Sequence, residues 1–387
     1  MVHRVHLPLR VRPGSRGRSP LGRWLVFGAL CAGLLPGGLW PRAARAEAAP
    51  RFELPVDCAG TACFVQNYFD HDPAGGWRDY RCGTLSYDGH TGTDIRVPSL
   101  LEMRRGVPVL AAAPGRVRAV RDGMPDVDVR EVAPETVKGR GAGNSVAVTH
   151  AGGWETQYSH LLRGSVAVKP GETVRAGQRL GLMGLSGNTE FPHLEFSVRH
   201  EGRPVDPFVG PGEAVGCRLG DAPLWAPAAL EALGYRETGL LVAGFAPDKP
   251  DARAAQEGRY AGAVLPRDSG ALVFWVEVFG VQRGDREQLR LLAPDGSVLV
   301  DKRGSVPGHK ARWFSFAGKP LKRGSWPVGT YRGEYRLTRA RDGREVSVLD
   351  LRRELEVRRA GRGVSPPPFG RRPRAAGSRG RARCTPC

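Results

Sequence analysis

Short runs in which apolar and polar residues alternate, separated by Gly and Pro, fill most of this chain, and a period of two belongs to strands rather than helices. Residues 107–112 and 115–120 are two such runs, divided by Pro114-Gly115. Residues 144–150 and 154–160 read as a hairpin closed at Gly152-Gly153, and the pattern resumes over 166–174 and 178–183 with turn residues between. A later run, 193–198, puts Leu194, Phe196 and Val198 on one face and His193 and Glu195 on the other, because residues two apart share a face. The glycines of 184–189 lead into it, as expected of backbone that passes close to a metal or a substrate. The polar stretch 121–143 interrupts the strands and is expected beside the cleft, while 51–89 reads as a loop-rich lead-in. Within that lead-in, His71 between two aspartates reads as a solvated loop residue.

Beyond Cys217 the pattern changes once and then returns to strands. Residues 224–233 predict one short helix. The runs 271–278, 288–292, 297–300, 313–316 and 329–337, with Asp295-Gly296 as a hairpin turn, predict about seven strands over roughly 120 residues, a β-sandwich of immunoglobulin-like type. No catalytic constellation falls in it, so it reads as a binding or positioning module. The fold class expected is all-β, an antiparallel first domain followed by the sandwich.

Candidate chemistry concentrates in the first domain. Gly89-His90-Thr91-Gly92-Thr93-Asp94 sets a carboxylate four residues after a histidine, and Pro192-His193-Leu194-Glu195-Phe196 adds two polar residues on one strand face, a metal-site layout. Taken with Tyr158-Ser159-His160-Leu161, these three ordered motifs resemble the lysostaphin-type (LytM-like) zinc metallopeptidases that cut peptide bonds in peptidoglycan. The resemblance covers about residues 55–220. It implies a LytM-like sheet domain (the duplicated hybrid motif), a Zn²⁺ cofactor, and the peptide stems of peptidoglycan as substrate. It also implies His90 and Asp94 as metal ligands, His160 and His193 as unligated catalytic histidines, and Tyr158 as part of the substrate wall. The chain departs from the family in one place: the last motif reads His-x-His there, and its second histidine, a ligand, is Glu195 here. Glu195 is expected as the third ligand. The substitution also supports a second reading, a catalytically impaired domain that binds peptidoglycan or activates another cell-wall hydrolase. His150 reads as structural.

Composition narrows the setting. The charge of +19 suggests a nucleic-acid binder until it is located: residues 1–46 and 359–387 hold eight Arg each and no acid, which leaves +3 on the middle. No nucleic-acid motif is present. The Arg-rich lead, the apolar run 24–40 broken at Pro36-Gly37-Gly38, and Ala44-Arg45-Ala46 follow the order of a secretory signal cleaved after Ala46, so export, to the periplasm, is expected. A membrane anchor is the competing reading of that run, though it is short for a span. In an oxidising compartment Cys58, Cys63, Cys82 and Cys217 allow three pairings, of which Cys58 with Cys63 and Cys82 with Cys217 are favoured over a cysteine metal site. The second pair would tie the domain's entry to its exit and stabilise it by ~4 kcal/mol on the loop-entropy model. The expected division is a signal over 1–46, the peptidase-like domain over 47–222, the sandwich over 223–358, and a disordered Arg/Pro-rich tail over 359–387.

Overall fold

A computed structural model describes residues 48–212 and 216–359. The signal read over 1–46, and the tail from 360 onward with Cys384 and Cys387, lie outside the described residues. The first strands are β1 (Phe64–Asn67), β2 (Gly92–Arg96), β3 (Pro108–Leu110), β4 (Gly115–Arg121) and β5 (Asn144–Thr149). There follow β6 (Trp154–Leu161), β7 (Thr173–Val174), β8 (Arg179–Leu182), β9 (His193–His200) and β10 (Arg203–Val205). They form an antiparallel sheet in the order β1-β2-β9-β6-β5-β4-β7, with β10 on β9, and a separate β3-β8 pair. The hairpin read over 144–160 is β5-β6. The run 166–174 yields only β7, because Pro170 and Gly171 turn the chain there: the Gly171 amide donates to Val117 O at 2.7 Å. The lead-in contributes an unforeseen strand, β1, at the edge of the sheet.

The alternation in β9 does what its period predicts. Leu194, Phe196 and Val198 are fully buried in one core. Phe196 meets Phe52 edge-on at 5.5 Å and Trp225 at 5.2 Å. A side chain of this kind contributes ~1.5–3 kcal/mol by burial. Trp225 stands just before a short helix, Pro227–Ala232, whose first residue is a proline that needs no hydrogen-bond partner.

The second half carries β11 (Gly239–Ala246), β12 (Val264–Pro266), β13 (Ala271–Val281), β14 (Arg286–Leu292), β15 (Val298–Ser305), β16 (Lys310–Pro320), β17 (Gly329–Arg341) and β18 (Arg344–Arg358). One sheet is β11-β13-β16 and the other β12-β18-β17-β14-β15. Phe274 and Val276 of the first share a buried cluster with Leu289, Tyr335 and Leu355 of the second, so the two sheets close over one core. The protein is nearly all β, as expected. Among the described residues no helix is long and apolar enough to cross a membrane.

Both favoured disulfides are present, Cys58–Cys63 and Cys82–Cys217. Mass mapping of the non-reduced protein is expected to find the Cys82–Cys217 peptide. Free thiols at both positions would overturn the pairing.

Candidate metal centre

Five side chains meet on the polar face of the sheet, and neighbouring strands bring four of them. In the β2-β9 register Asp94 lies opposite Glu195, and Arg96 opposite His193. Ser159 of β6 lies opposite Glu195. His160 follows it in the left-handed conformation, φ 64°, unusual for a residue with a Cβ, and this turns the imidazole back over the site. Its amide donates to Ala142 O at 2.9 Å, so the 121–143 segment flanks the site as expected.

The glycines of 184–189 approach that same segment and no side chain of the site. Gly143, at φ 60°, stands so close to Ser186 that a Cβ on it would come within 2.1 Å of the Ser186 carbonyl. That carbonyl accepts a hydrogen bond from His160 Nδ1 at 2.7 Å. Because a carbonyl only accepts, Nδ1 carries the proton, and in the neutral ring Nε2 is free to act as a base. His193 is oriented likewise, its Nδ1 donating to Phe191 O at 3.0 Å.

The distances define two pairs and a link. His90 Nε2 lies 3.3 Å from Asp94 Oδ1, His160 Nε2 lies 3.3 Å from Glu195 Oε2, and His193 Nε2 lies 3.4 Å from Asp94 Oδ1. His90 Nε2 and Asp94 Oδ1 are both buried without a hydrogen-bond partner, although they face each other. Asp94 Oδ2 is held from the other side by Asn67 Nδ2 at 2.8 Å. Two donor atoms bound ~2.0 Å from one tetrahedral zinc stand ~3.3 Å apart, so the orphaned pair has the spacing of two ligands. Among the described residues no group of three His, Cys, Asp or Glu side chains is closed into a cage, and a metal held by this pair would need a third donor to move toward it. His193 and Glu195 are the two within reach.

Charge follows the same pairing. Burial pulls the His90 imidazole down and the Asp94 carboxylate more than reverses this. Burial opposes ionisation of Asp94, yet the His90 and His193 rings hold its carboxyl well below the usual range. Burial works against the charged forms of both His160 and Glu195, and each is overcome by the other: His160 is raised and Glu195 lowered. Both carboxylates are thus held in the ionised form, the form in which they can ligate a cation, while a bound metal would have to displace any proton from the imidazole that ligates it.

Tyr158 is not at this site. It is fully buried on the core face, its hydroxyl accepting from the Ala112 amide at 2.7 Å. Residues 158 and 160 share a face only in an unbroken strand, and the left-handed turn at His160 breaks the parity. Tyr87 stands at the centre instead, its ring 4.4 Å from that of His90 and half exposed, while the Phe191 ring stands 4.7 Å from that of His193. The reading of the sequence missed Tyr87 and Asn67; only the proximity of Tyr87 to His90 signalled either. His150 is structural as expected, bonded to Pro114 O at 2.7 Å and Thr156 Oγ1 at 2.8 Å. His71, expected to be solvated, reaches Asp206 Oδ2 at 2.7 Å.

The model of peptidase family M23 matches residues 88–207, the segment that contains all five of these side chains. Residues 88–207 form an M23 peptidase domain. The DD-carboxypeptidase/endopeptidase Mpg of Neisseria meningitidis serogroup B is 36% identical over 120 residues, 30% of this chain and 22% of that protein. The peptidoglycan DD-endopeptidase ShyB of Vibrio cholerae is 33% identical over 117 residues, 30% of this chain and 22% of that one. The chain thus spans about a fifth of the length of these curated relatives. Among solved structures, a zinc-containing peptidase from Vibrio cholerae is 26% identical, covering 45% of this chain and 41% of that chain, with a TM-score of 0.29. The lysostaphin catalytic domain of Staphylococcus simulans is 22% identical, covering 39% and 91%, with a TM-score of 0.26.

Within the M23 domain Gly92 makes room for the centre. A Cβ there would lie 2.8 Å from Glu195 Cγ and 3.3 Å from His90 Cε1. Gly92→Ala is expected to displace the Glu195 carboxylate and weaken zinc binding about tenfold in a chelator competition, the scale of losing one ligand's support. Unchanged affinity would mean that the carboxylate is not needed.

Proposed function

We propose that this protein is an exported zinc metalloendopeptidase that hydrolyses peptide cross-links of peptidoglycan. The observation that carries the reading is the buried His90 Nε2 and Asp94 Oδ1 at 3.3 Å, neither with a hydrogen-bond partner, with the Nε2 atoms of His160 and His193 turned toward the Glu195 and Asp94 carboxylates at 3.3 and 3.4 Å. The spacing of His90 and Asp94 fits the metal, and with the Glu195 carboxylate moved toward them the three would hold Zn²⁺ through two carboxylates and one imidazole. Bound there, zinc supplies an acidified water and polarises the scissile carbonyl. His160, its Nδ1 proton fixed on Ser186 O, takes a proton at Nε2, and His193, when its Nε2 also carries a proton, donates toward the oxygen that gains charge. Tyr87, half exposed with its ring tilted against that of His90, bounds the cleft on its open side.

The names of the relatives support a cell-wall substrate, since Mpg and ShyB are described as endopeptidases. A signal over 1–46, the peptidase domain over 47–222 and an accessory role for 223–358 belong to the same proposal, as does periplasmic location. One observation favours the second reading, a pseudopeptidase that binds peptidoglycan or activates another wall hydrolase: Glu195 Oε2 engages the Nε2 of His160, the atom that would serve as base. Metal analysis of the purified protein, followed by digestion of purified peptidoglycan, separates the two. Bound zinc with release of peptide fragments supports the enzyme, and bound zinc without fragments supports the pseudopeptidase.

A further inference from the structure

A groove of 580 Å³ runs from the M23 domain onto the second pair of sheets, within the size range of ligand sites and at the kind of junction where they form. Its near end is Phe191 and Pro192, which lead directly into His193, and the Phe191 ring stands 4.7 Å from the His193 ring. Behind Phe191 lies the fully buried Arg96, its guanidinium 4.6 Å from the ring centre. The far wall is β16, with Lys310, Ala311 and Arg312. The groove therefore touches the candidate centre at one end and the second lobe at the other.

Its walls are fixed. Arg253 of the second lobe pairs with Glu131 of the first, and Arg312 Nη1 donates to Glu190 O at 3.4 Å. Arg312 is held in turn by Glu277, which is almost fully buried, at 2.6 Å. A preformed groove avoids the ordering cost that a flexible linker would impose on a ligand.

The charge of the groove is balanced, with four cationic and four acidic side chains among its lining. A polyanion would meet four carboxylates, and a polycation would meet four bases. Lys310 is exposed and pairs with no carboxylate among the described residues, whereas Arg130 is held by Asp128 through two hydrogen bonds, at 3.0 and 2.5 Å, and reaches Glu190 at 3.3 Å with the Arg130 and Glu190 side chains both more than half exposed. Lys310 can therefore take an incoming carboxylate, and Glu190, whose only ion pair among the described residues is the exposed 3.3 Å contact with Arg130, can take an amine.

Resting on the endopeptidase reading, we infer that this groove is a substrate subsite for a short peptide carrying both a free carboxylate and a free amine, and that the second lobe helps select which peptide reaches the catalytic histidines. The lobe is then part of the binding cleft as well as an appendage to it.

The test uses the full chain with zinc and soluble cross-linked peptides released from peptidoglycan, measuring cleavage kinetics together with equilibrium binding. Ala311→Trp fills the groove from an exposed strand position, and Lys310→Glu reverses one wall charge. Both should raise KM about tenfold, the scale of one lost anchoring contact, with a smaller change in kcat and unchanged zinc content. Cleavage with an unaltered KM in both variants would overturn the subsite and leave the endopeptidase reading intact. If the native protein cleaves nothing, that reading fails, and the subsite stands only if peptide binding is present and weakened in both variants. Equal binding, no binding, or preference for a polyanion such as polyphosphate over the peptide would overturn it.

Discussion

Glu195→Ala is expected to strip the protein of zinc, and Glu195→His to raise turnover at neutral pH. A carboxylate reaches zinc at ~2.0–2.2 Å, so the native residue is a competent ligand. Its cost is electronic. His90 and Asp94 together bring one negative charge to a dication, and Glu195 brings a second, so the set is neutral where a histidine would leave it positive. A neutral set draws less charge from water and stabilises a developing oxyanion less. The native protein should therefore work slowly or with a raised pH optimum. Glu195 also lies 3.3 Å from His160 Nε2, so a histidine there would release the base as well. Zinc by atomic emission and a pH-rate profile read both effects. Full zinc in Glu195→Ala would remove Glu195 from the shell and pass its place to His193, whose Nε2 is 3.4 Å from Asp94 Oδ1.

The second large effect is expected at the two histidines. His160→Ala and His193→Ala should each lower turnover by ~10²-fold or more while zinc stays bound. His160→Ala carries an added strain, because position 160 keeps φ near 64° and alanine tolerates this poorly. His160→Asn is the better-behaved variant, since asparagine adopts that conformation more readily and cannot act as the base. Turnover and zinc content together decide the roles: loss of zinc in both alanine variants would make these residues ligands.

Much of this centre could be read from the chain, for reasons that also mark where reading stops. The period-two alternation over 193–198 fixed which side chains share a face, and Asp94 and Glu195 fall opposite each other once β2 and β9 pair. Of the three pairings that the four cysteines bracketing the first domain allow, the favoured one is the one present. Alternation says nothing about where parity breaks: the resemblance places Tyr158 on the wall near His160, but Tyr158 follows the strand to the core face opposite Phe196 while the left-handed backbone of His160 turns that ring to the other side. Nor does it name a partner from a distant strand: Asn67 holds Asp94 from β1, which reads as loop. The strand β18 hides for another reason. Most of its fifteen residues are exposed or half-exposed, with only Leu355 and Val357 buried, so its pattern is that of a charged surface ribbon.

The Cys82–Cys217 bond joins residues 135 apart, and His90, Asp94, His160, His193 and Glu195 all lie between them. The centre is thus carried on a covalent ring. A protease that cuts one peptide bond in the segment 83–216 would open the ring without freeing a fragment, and the strands could stay paired across the nick. Outside the cell, where other enzymes attack exposed loops, such a protein would outlast its first wound; in a reducing medium the same cut would divide it in two.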